Sequence, residues 1–277
     1  NVSSNFFDYT QSLLQLEPYE APVPKLTLKA HGGAVQFDGV LGNKINLGDI
    51  TELNGASQFT LETWINVSKI TGVDQYFFSK QLDTFHRINL VIDTTGRFAI
   101  INANGSSDQF TYSTNTLNVN QWHHVAFVYD GNGTTLNDDF KLYIDGVLET
   151  NYGGSTSPTT SSNLLSGEDA YLGSSTLSSE LILDEFRIWN TARTPEEIQS
   201  AMNYQLEGNE SNLTAYYNFD ERVGDTVVDI TGNGNDGTIE GDVTRLNFLG
   251  DTLSFDGVGD TISVATELNT SNYTKAL

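Results

Sequence analysis

Cysteine is absent from all 277 residues of the sequence, so disulfide bonds contribute nothing to its stability. A catalytic cysteine and a cysteine-ligated zinc site are excluded for the same reason. No apolar run approaches the roughly 20 residues of a membrane-spanning helix, and the sequence therefore predicts no membrane insertion. The residues that follow Asn1 do not show the pattern of a signal peptide. Because no initiating methionine is present, we expect a processed or excised segment of a longer protein.

Basic residues are scarce as well, with 13 Lys and Arg against 36 Asp and Glu and a net charge of −23. A chain with so few cations offers no basic face to displace counterions from phosphate, which argues against nucleic acid as a partner. The acidic residues are scattered along the chain instead of forming one tail. They suit a surface exposed to salty or extracellular water or, as an alternative, the binding of divalent cations.

The sequence is rich in short apolar or alternating runs separated by Gly, Asn, Asp, Ser and Thr. Asp145-Gly146 and Thr94-Thr95-Gly96 each lie between two such runs and predict hairpin turns. Many strands joined by hairpins predict an all-β fold, an antiparallel two-sheet sandwich of jelly-roll type. The predicted strands are 34–37, 45–47, 59–65, 76–79, 88–92, 98–101, 122–129, 140–144, 147–150, 170–172, 181–189 and 213–221.

The last signature strand leads directly into the one helix that the sequence predicts with a complete cap. Thr194, Pro195 and Glu197 form a capping-box pattern, which places the first turn of a short helix at Pro195. The strand before it alternates, as a pleated strand requires. This alternation predicts one face with Leu183, Glu185, Arg187 and Trp189, and an opposite face with Asp184, Phe186 and Ile188.

An internal repeat indicates the domain organisation. Phe37-Asp38-Gly39-Val40 recurs at 255–258, and Glu52-Leu53-Asn54 recurs at 267–269. We therefore expect a lead-in over 1–33 and one complete unit over 34–222. Residues 223–277 would hold an inter-repeat segment and the first strands of a second, truncated unit.

The order of several short motifs resembles the laminin-G-like, or concanavalin A-like, jelly-roll domains of secreted bacterial multidomain proteins. This resemblance implies two antiparallel sheets, one concave and one convex, often with a calcium ion and a role in binding glycans or proteins. It does not imply an enzyme. The motifs that carry it are 37–39, 59–65, 122–130, 142–146, 183–198 and 216–219.

Calcium is the cofactor that the sequence favours most. The resemblance implies that the strands bearing Asp38 and Asp184 lie close together, and calcium needs six to eight oxygen ligands brought together by loops. Asp38 and Asp184 are therefore candidate metal ligands. As alternatives, Asp38 forms a turn with its own backbone, and Asp184 pairs with Arg187 or a backbone amide.

A second candidate cation site lies in a loop dense in oxygen atoms. This loop lacks the terminal acidic residue of an EF-hand, and a solvated turn is an equal alternative. Its candidate ligands are Asp229, Asn233, Asn235 and Asp236.

Candidate ligand-binding residues are aromatic and polar side chains outside the family motifs. A glycan can stack on aromatic rings near predicted loops, with plain surface packing as the alternative; these rings are Tyr76, Phe85, Tyr112 and Tyr152. His86 and Arg87 can offer polar contacts at a groove edge, or are ordinary exposed strand residues. The tryptophans lie inside the motifs and are interpreted as core residues: Trp64, Trp122 and Trp189.

Three functions fit these observations. The first is a non-catalytic extracellular or cell-surface module for binding or adhesion, which recognises a carbohydrate or a cell-surface partner with the help of a structural calcium ion. The second is a spacer or fibre-forming repeat, whose partners are neighbouring repeat units of the same chain. The third is a polysaccharide-degrading enzyme on the same fold. No nucleophile elbow, His-Glu-x-x-His or phosphate-binding glycine loop is present, so no catalytic residue is assigned.

Overall fold

The computed structural model describes residues 32–83, 86–104, 108–131, 139–149, 167–174 and 179–247. Within these ranges the chain is all-β, apart from one short helix, α1 (Pro195–Ala201), and a single 3-10 turn. The strands are β1 (Gly33–Asp38), β2 (Lys44–Gly48), β3 (Gln58–Val67), β4 (Gln75–Asp83), β5 (His86–Ile92), β6 (Arg97–Asn104), β7 (Asp108–Thr116), β8 (Trp122–Asp130), β9 (Phe140–Ile144), β10 (Val147–Leu148), β11 (Ala170–Gly173), β12 (Glu180–Trp189), β13 (Leu213–Tyr217), β14 (Thr226–Val227), β15 (Gly237–Glu240) and β16 (Thr244–Asn247).

These strands form two antiparallel sheets of eight strands each. The first sheet has the order β10-β9-β8-β3-β12-β1-β16, and β13 also pairs with β12. The second sheet has the order β14-β15-β2-β11-β4-β5-β6-β7. The predicted two-sheet antiparallel sandwich is confirmed. No helix in the described ranges combines the length and the apolar character needed to cross a membrane.

The core lies between the two sheets and follows the alternation of the strands. On β5, Ile88, Leu90 and Ile92 point inward and are at most 1% exposed. Across the core, the ring of Phe78 on β4 stacks on that of Phe186 on β12, with 5.7 Å between the centroids. Because alternate residues of a strand point to opposite faces, Arg87, Asn89 and Val91 lie on the outer face of the second sheet.

The alternation predicted for the 183–189 run is wrong, because a β-bulge interrupts β12. The register with β3 shifts between Asp184 and Arg187, and Glu185 has a φ of 55°. A bulge inserts one extra residue and reverses the side-chain phase beyond it. Leu183 and Phe186 therefore both join the core, whereas Asp184 and Glu185 both lie on the outer side.

The predicted helix start and hairpin turn are confirmed. The Thr194 hydroxyl accepts the backbone N–H of Glu197, and the Glu197 carboxylate accepts that of Thr194, which completes the capping box. Asp145 and Gly146 have φ values of 51° and 75° between β9 and β10. The capping box thus starts the helix, and the positive φ angles of Asp-Gly form the hairpin turn, as their sequences predicted.

Residues predicted to lie between units contribute three strands to this sandwich. β14 and β15 extend the second sheet, and β16 pairs with β1 at the edge of the first. The Arg245 guanidinium anchors β16 by donating to the Glu221 carboxylate at 3.0 Å and to the Thr226 carbonyl at 2.6 Å. The described sandwich thus includes residues up to Asn247. The second copies of the repeated motifs, and residues 1–31 of the lead-in, lie outside the described residues.

Candidate functional site

The outer face of the first sheet is covered by the chain that follows β12. Ile198 of α1 packs on Ala126, Val128 and Tyr143. Further along, Trp189 packs with Leu213 and Tyr216. These contacts bury the outer side of β8, β9 and β12, and this face is therefore part of the folded scaffold.

Charged side chains are buried beneath this cover and are paired with each other. The Glu62 carboxylate accepts the Arg193 guanidinium at 2.7 Å and the Trp189 indole N–H at 3.0 Å. Arg187 is 0% exposed and donates to the Glu185 carboxylate at 2.5 Å. Burial alone would lower the pKa of Arg187, but Glu185 and Glu62 outweigh it and raise that pKa. These ion pairs and hydrogen bonds hold α1 and the chain around Trp189 on the outer face of the first sheet.

The outer face of the second sheet carries half-exposed aromatic side chains. Tyr76 on β4 and Phe110 and Tyr112 on β7 pack against a floor of small and branched residues. The floor residues are at most 3% exposed and come from β5 and β6: Val91, Ala99 and Ile101. We call these six residues the aromatic platform.

The register of the strands sets the width of the platform. Tyr76 pairs with Val91, Val91 with Ala99, and Ala99 with Tyr112, which forms one row across four strands. Neighbouring strands lie about 4.8 Å apart, so the Cα atoms of Tyr76 and Tyr112 are separated by about 14 Å. The rings of Phe110 and Tyr112 are nearly parallel, with 6.0 Å between centroids and an angle of 4°. The result is a row of half-buried aromatic rings across the outer face of the second sheet.

One end of the platform is charged. The Arg97 guanidinium lies 4.3 Å from the centroid of the Tyr112 ring and binds the Asp93 carboxylate at 2.7 Å. Burial and the nearby Asp93 raise the pKa of Asp74. Burial also tends to raise the pKa of Asp93, but hydrogen bonds from Thr95 and Arg97 outweigh it and lower that pKa. These charges hold the turn between β5 and β6 and border the aromatic rings.

The other end of the platform is polar. A second row across the sheet runs through Tyr171, Ser79, Asn89, Ile101 and Phe110. The Lys44 ammonium lies 4.2 Å from the centroid of the half-exposed Tyr171 ring and pairs with the Glu240 carboxylate at 3.1 Å. This end therefore combines an aromatic ring with hydroxyl and amide groups.

The candidate ligand-binding residues from the sequence fall partly on this face. Tyr76 and Tyr112 belong to the platform, and Arg87 lies on the same side of β5, four residues from Val91. His86 is the first residue of β5, and its side chain lies outside the described residues, as do Phe85 and Tyr152. Phe110 and Asn89 are new candidates; Asn89 has a sequence signal, since it is the one polar residue in an otherwise apolar run from Ile88 to Ile92.

The structure does not bring Asp38 and Asp184 together. Asp38 pairs with Glu180 across β1 and β12, and Asp184 is four residues further along β12, about 13 Å away. The Asp38 carboxylate accepts the Val40 N–H and the Asn43 amide, both at 3.0 Å. Asp38 thus shapes a turn, and the two residues do not fit one calcium site. In the described ranges, no three His, Asp or Glu side chains are grouped to hold a metal ion.

The second candidate cation loop is closed by its own hydrogen bonds. The Asp229 carboxylate accepts the Thr231 hydroxyl at 2.7 Å and the backbone N–H groups of Tyr216 and Asn235 at 3.1 and 3.2 Å. Asp236 accepts the Asp229 N–H at 2.8 Å, and the Asn233 amide donates to the Thr214 carbonyl at 2.9 Å. The protein's own donors thus occupy both carboxylate oxygens of Asp229 and one of Asp236.

A cavity lies at the edge of the first sheet, and about 30 Å³ of it is open to the centre of a water-sized sphere. Gly33, Phe219, Asp220 and Arg245 contribute to its lining. The platform combines several aromatic rings with charged and polar groups at its border.

Comparisons with known proteins identify the fold. A family model of laminin G type, described as the concanavalin A-like lectin/glucanases superfamily, matches residues 38–199. A Bacteroides ovatus protein described as a candidate carbohydrate-binding protein is 20% identical with a TM-score of 0.55; the match covers 78% of this chain and 60% of that protein. A heptameric SAP-like pentraxin from Limulus polyphemus is 14% identical with a TM-score of 0.52, covering 78% and 95% of the two chains. No curated protein matches the sequence. At these identities both structures establish the fold alone.

Proposed function

Since this chain belongs to the concanavalin A-like lectin/glucanase superfamily, we propose that it is a non-catalytic carbohydrate-binding module whose ligand lies on the aromatic platform. The observation that carries this proposal is the set of half-exposed rings of Tyr76, Phe110 and Tyr112 on the open face of the second sheet. The description of the Bacteroides ovatus protein as a candidate carbohydrate-binding protein agrees with it.

The chemistry of the platform matches that of a sugar ring. A pyranose presents apolar C–H groups on its faces and hydroxyl groups around its edge. A tyrosine likewise offers an apolar ring face and a polar tip. Asn89 and Ser79 at one end, and Asp74 and Arg97 at the other, supply donors and acceptors at the border of the rings. A flat surface of this kind suits a chain of sugars better than one enclosed residue.

An enzymatic role has one observation in its favour, the opposite pKa shifts of the neighbouring carboxyl groups of Asp74 and Asp93. Such pairs occur where an acid and a base share a reaction. Both oxygens of Asp93, however, already accept hydrogen bonds, Oδ1 from Thr95 and Oδ2 from Arg97. Asp93 is thereby committed to holding the β5–β6 turn, and we propose binding without turnover.

We extend the proposal to an extracellular or cell-surface location, for which the scattered acidic surface and the absence of cysteine are the sequence support. The binding role does not need calcium, since the platform presents rings and polar groups directly to the ligand. A neighbouring unit of the same chain, expected from the repeated motifs, would multiply weak single-site binding.

Affinity electrophoresis against a panel of polysaccharides tests the proposed function. We expect the wild-type chain to be retarded by at least one polysaccharide, and Tyr112→Ala to bind it about tenfold more weakly because the ring is lost. Tyr143→Phe on the covered face is the matched control and should bind normally. Absence of binding to every glycan, or release of reducing ends by the wild type, would contradict the proposal.

A further inference from the structure

The side-chain amide of Asn89, on the platform side of β5, has no hydrogen-bond partner in the described residues. We propose that Asn89 is the residue that determines hydrogen-bonding specificity on the platform, and that the ligand is a neutral glycan. This inference rests on the proposed function and specifies its ligand class.

Asn89 lies at the middle of the row of residues that forms the polar end of the platform. It pairs with Ser79 on β4 and with Ile101 on β6, and it alternates with the inward-facing Ile88 and Leu90. Two strands away on either side stand the half-exposed rings of Tyr171 and Phe110. A ligand that spans these rings passes directly over Asn89.

The Asn89 amide is buried without a hydrogen bond. The residue is 1% exposed, and neither its Oδ1 nor its Nδ2 has a partner. An unpaired buried amide destabilises a folded protein, and a leucine of the same branched shape would avoid this penalty. Because the Asn89 amide lies on the platform side of β5, a ligand bound there would supply the missing hydrogen-bond partners. Ser79 and Arg87 beside it are half-buried on the same face, and their side chains would have to move aside for a ligand to reach the amide.

An amide suits hydroxyl groups better than anions. Its oxygen accepts and its nitrogen donates, which matches a sugar hydroxyl that does both. An anionic sugar would instead require an available cation. Lys44 is paired with Glu240 and Arg97 with Asp93, and Arg87, the cation beside Asn89, is also engaged within the protein, so none of these three cations is free. With a net charge of −23 on the chain, the electrostatic field repels uronic-acid and sulfated glycans.

Asn102 provides a matched control on the neighbouring strand. It is 0% exposed, and its Oδ1 and Nδ2 also have no partner. Asn102 directly follows Ile101, which lies on the outer face of β6. Because successive residues of a strand point to opposite faces, Asn102 points toward the core, away from the platform. Asn89 and Asn102 thus lie on opposite faces of the second sheet.

The experiment compares Asn89→Leu with Asn102→Leu, using β-glucan, galactan and arabinan as neutral probes and polygalacturonate and alginate as anionic probes. We expect the wild type to bind a neutral probe. Asn89→Leu should bind it about tenfold more weakly while melting at or above the wild-type temperature, and Asn102→Leu should bind normally. Asn89→Ala is measured in parallel and should lose the same affinity, which keeps the test decisive if the leucine variant does not fold.

The alternative outcomes separate this inference from the proposed function. If Asn89→Leu and Asn89→Ala bind as the wild type does while Tyr112→Ala is impaired, the role of Asn89 is overturned and the platform stands. If the wild type binds only the anionic probes, the neutral ligand class is overturned. If no probe binds at all, the proposed function fails and this inference fails with it.

Discussion

Glu62 is the residue on which the covered face depends most. Its buried carboxylate lies 2.7 Å from the Arg193 guanidinium and 3.6 Å from that of Arg187. Removing one partner of a buried ion pair leaves a charge without compensation. Glu62→Ala should therefore lower the free energy of unfolding by about 3–5 kcal/mol in urea titrations.

The matched control for Glu62 is the exposed pair of Lys69 and Glu180, whose side chains are 64% and 32% exposed. Lys69→Ala should change stability by less than about 1 kcal/mol, since surface ion pairs contribute little. Equal losses for Glu62→Ala and Lys69→Ala would show that the buried network does not hold the cover in place.

Ionisation of Asp93 and ionisation of Asp74 should change the stability of the fold in opposite directions. The pKa of Asp93 is lowered from 3.8, so its stabilising effect is complete above that value and is lost as pH falls through its lower pKa in the folded state. Asp93→Asn should therefore flatten the loss of stability below about pH 4. The pKa of Asp74 is raised from 3.8, which means that its charged form destabilises the fold at neutral pH.

Thermal melting over a pH series checks both signs. Asp74→Asn should melt higher than the wild type at pH 7, with the advantage shrinking in acid. A steeper acid loss in Asp93→Asn, or a lower melting temperature in Asp74→Asn at neutral pH, would contradict the assigned charge environment.

Among the elements, β1 depends on a close approach that only glycine allows. A Cβ atom at Gly33 would lie 2.0 Å from the carbonyl oxygen of Phe219, a backbone atom that cannot rotate away. Gly33→Ala should therefore lower the free energy of unfolding by about 1–3 kcal/mol or more, as overpacking does. Gly72, where a Cβ meets nothing within 4 Å, is the control, and Gly72→Ala should be neutral or stabilising by up to about 1 kcal/mol. Equal stabilities for the two variants would refute this packing.

Most elements of the sandwich could be predicted from sequence because their signals are local. Alternation identified β3, β5 and β8, and the capping box of Thr194 placed the helix. The strands β7, β14, β15 and β16 were not predicted, since runs such as Asp108–Thr116 are polar and form strands only by pairing with an existing sheet edge. The bulge at Glu185 also has no local sequence signal, and it reversed the predicted phase of β12.

The platform could be predicted only in part for the same reason. Tyr76 and Tyr112 were recognisable as aromatic residues outside the family motifs. Their proximity depends on the register of β4, β5, β6 and β7, which is a property of the whole sheet. The strands bearing Asp38 and Asp184 are neighbours, as the family resemblance implied, but their register places the two residues four positions apart along β12.

At the scale of the molecule, the two sheets have different roles. The first sheet is closed on its outer side by α1 and by the chain around Trp189, with its charges paired internally. The second sheet presents the aromatic platform on its outer side. All three tryptophans belong to the first sheet, since Trp64 lies on β3, Trp122 on β8 and Trp189 on β12. The indole N–H signals of the tryptophans therefore report on the first sheet and not on the platform.

The most direct measurement is an NMR titration of the full chain with an oligosaccharide of the polysaccharide that it binds. We predict that chemical-shift changes gather on β4 to β7, that the Asn89 side-chain amide moves, and that the indole N–H signals of Trp64, Trp122 and Trp189 stay in place. Shifts centred on the indole signals and on α1, with Tyr76, Phe110 and Tyr112 unaffected, would contradict the assignment of the binding face to the second sheet.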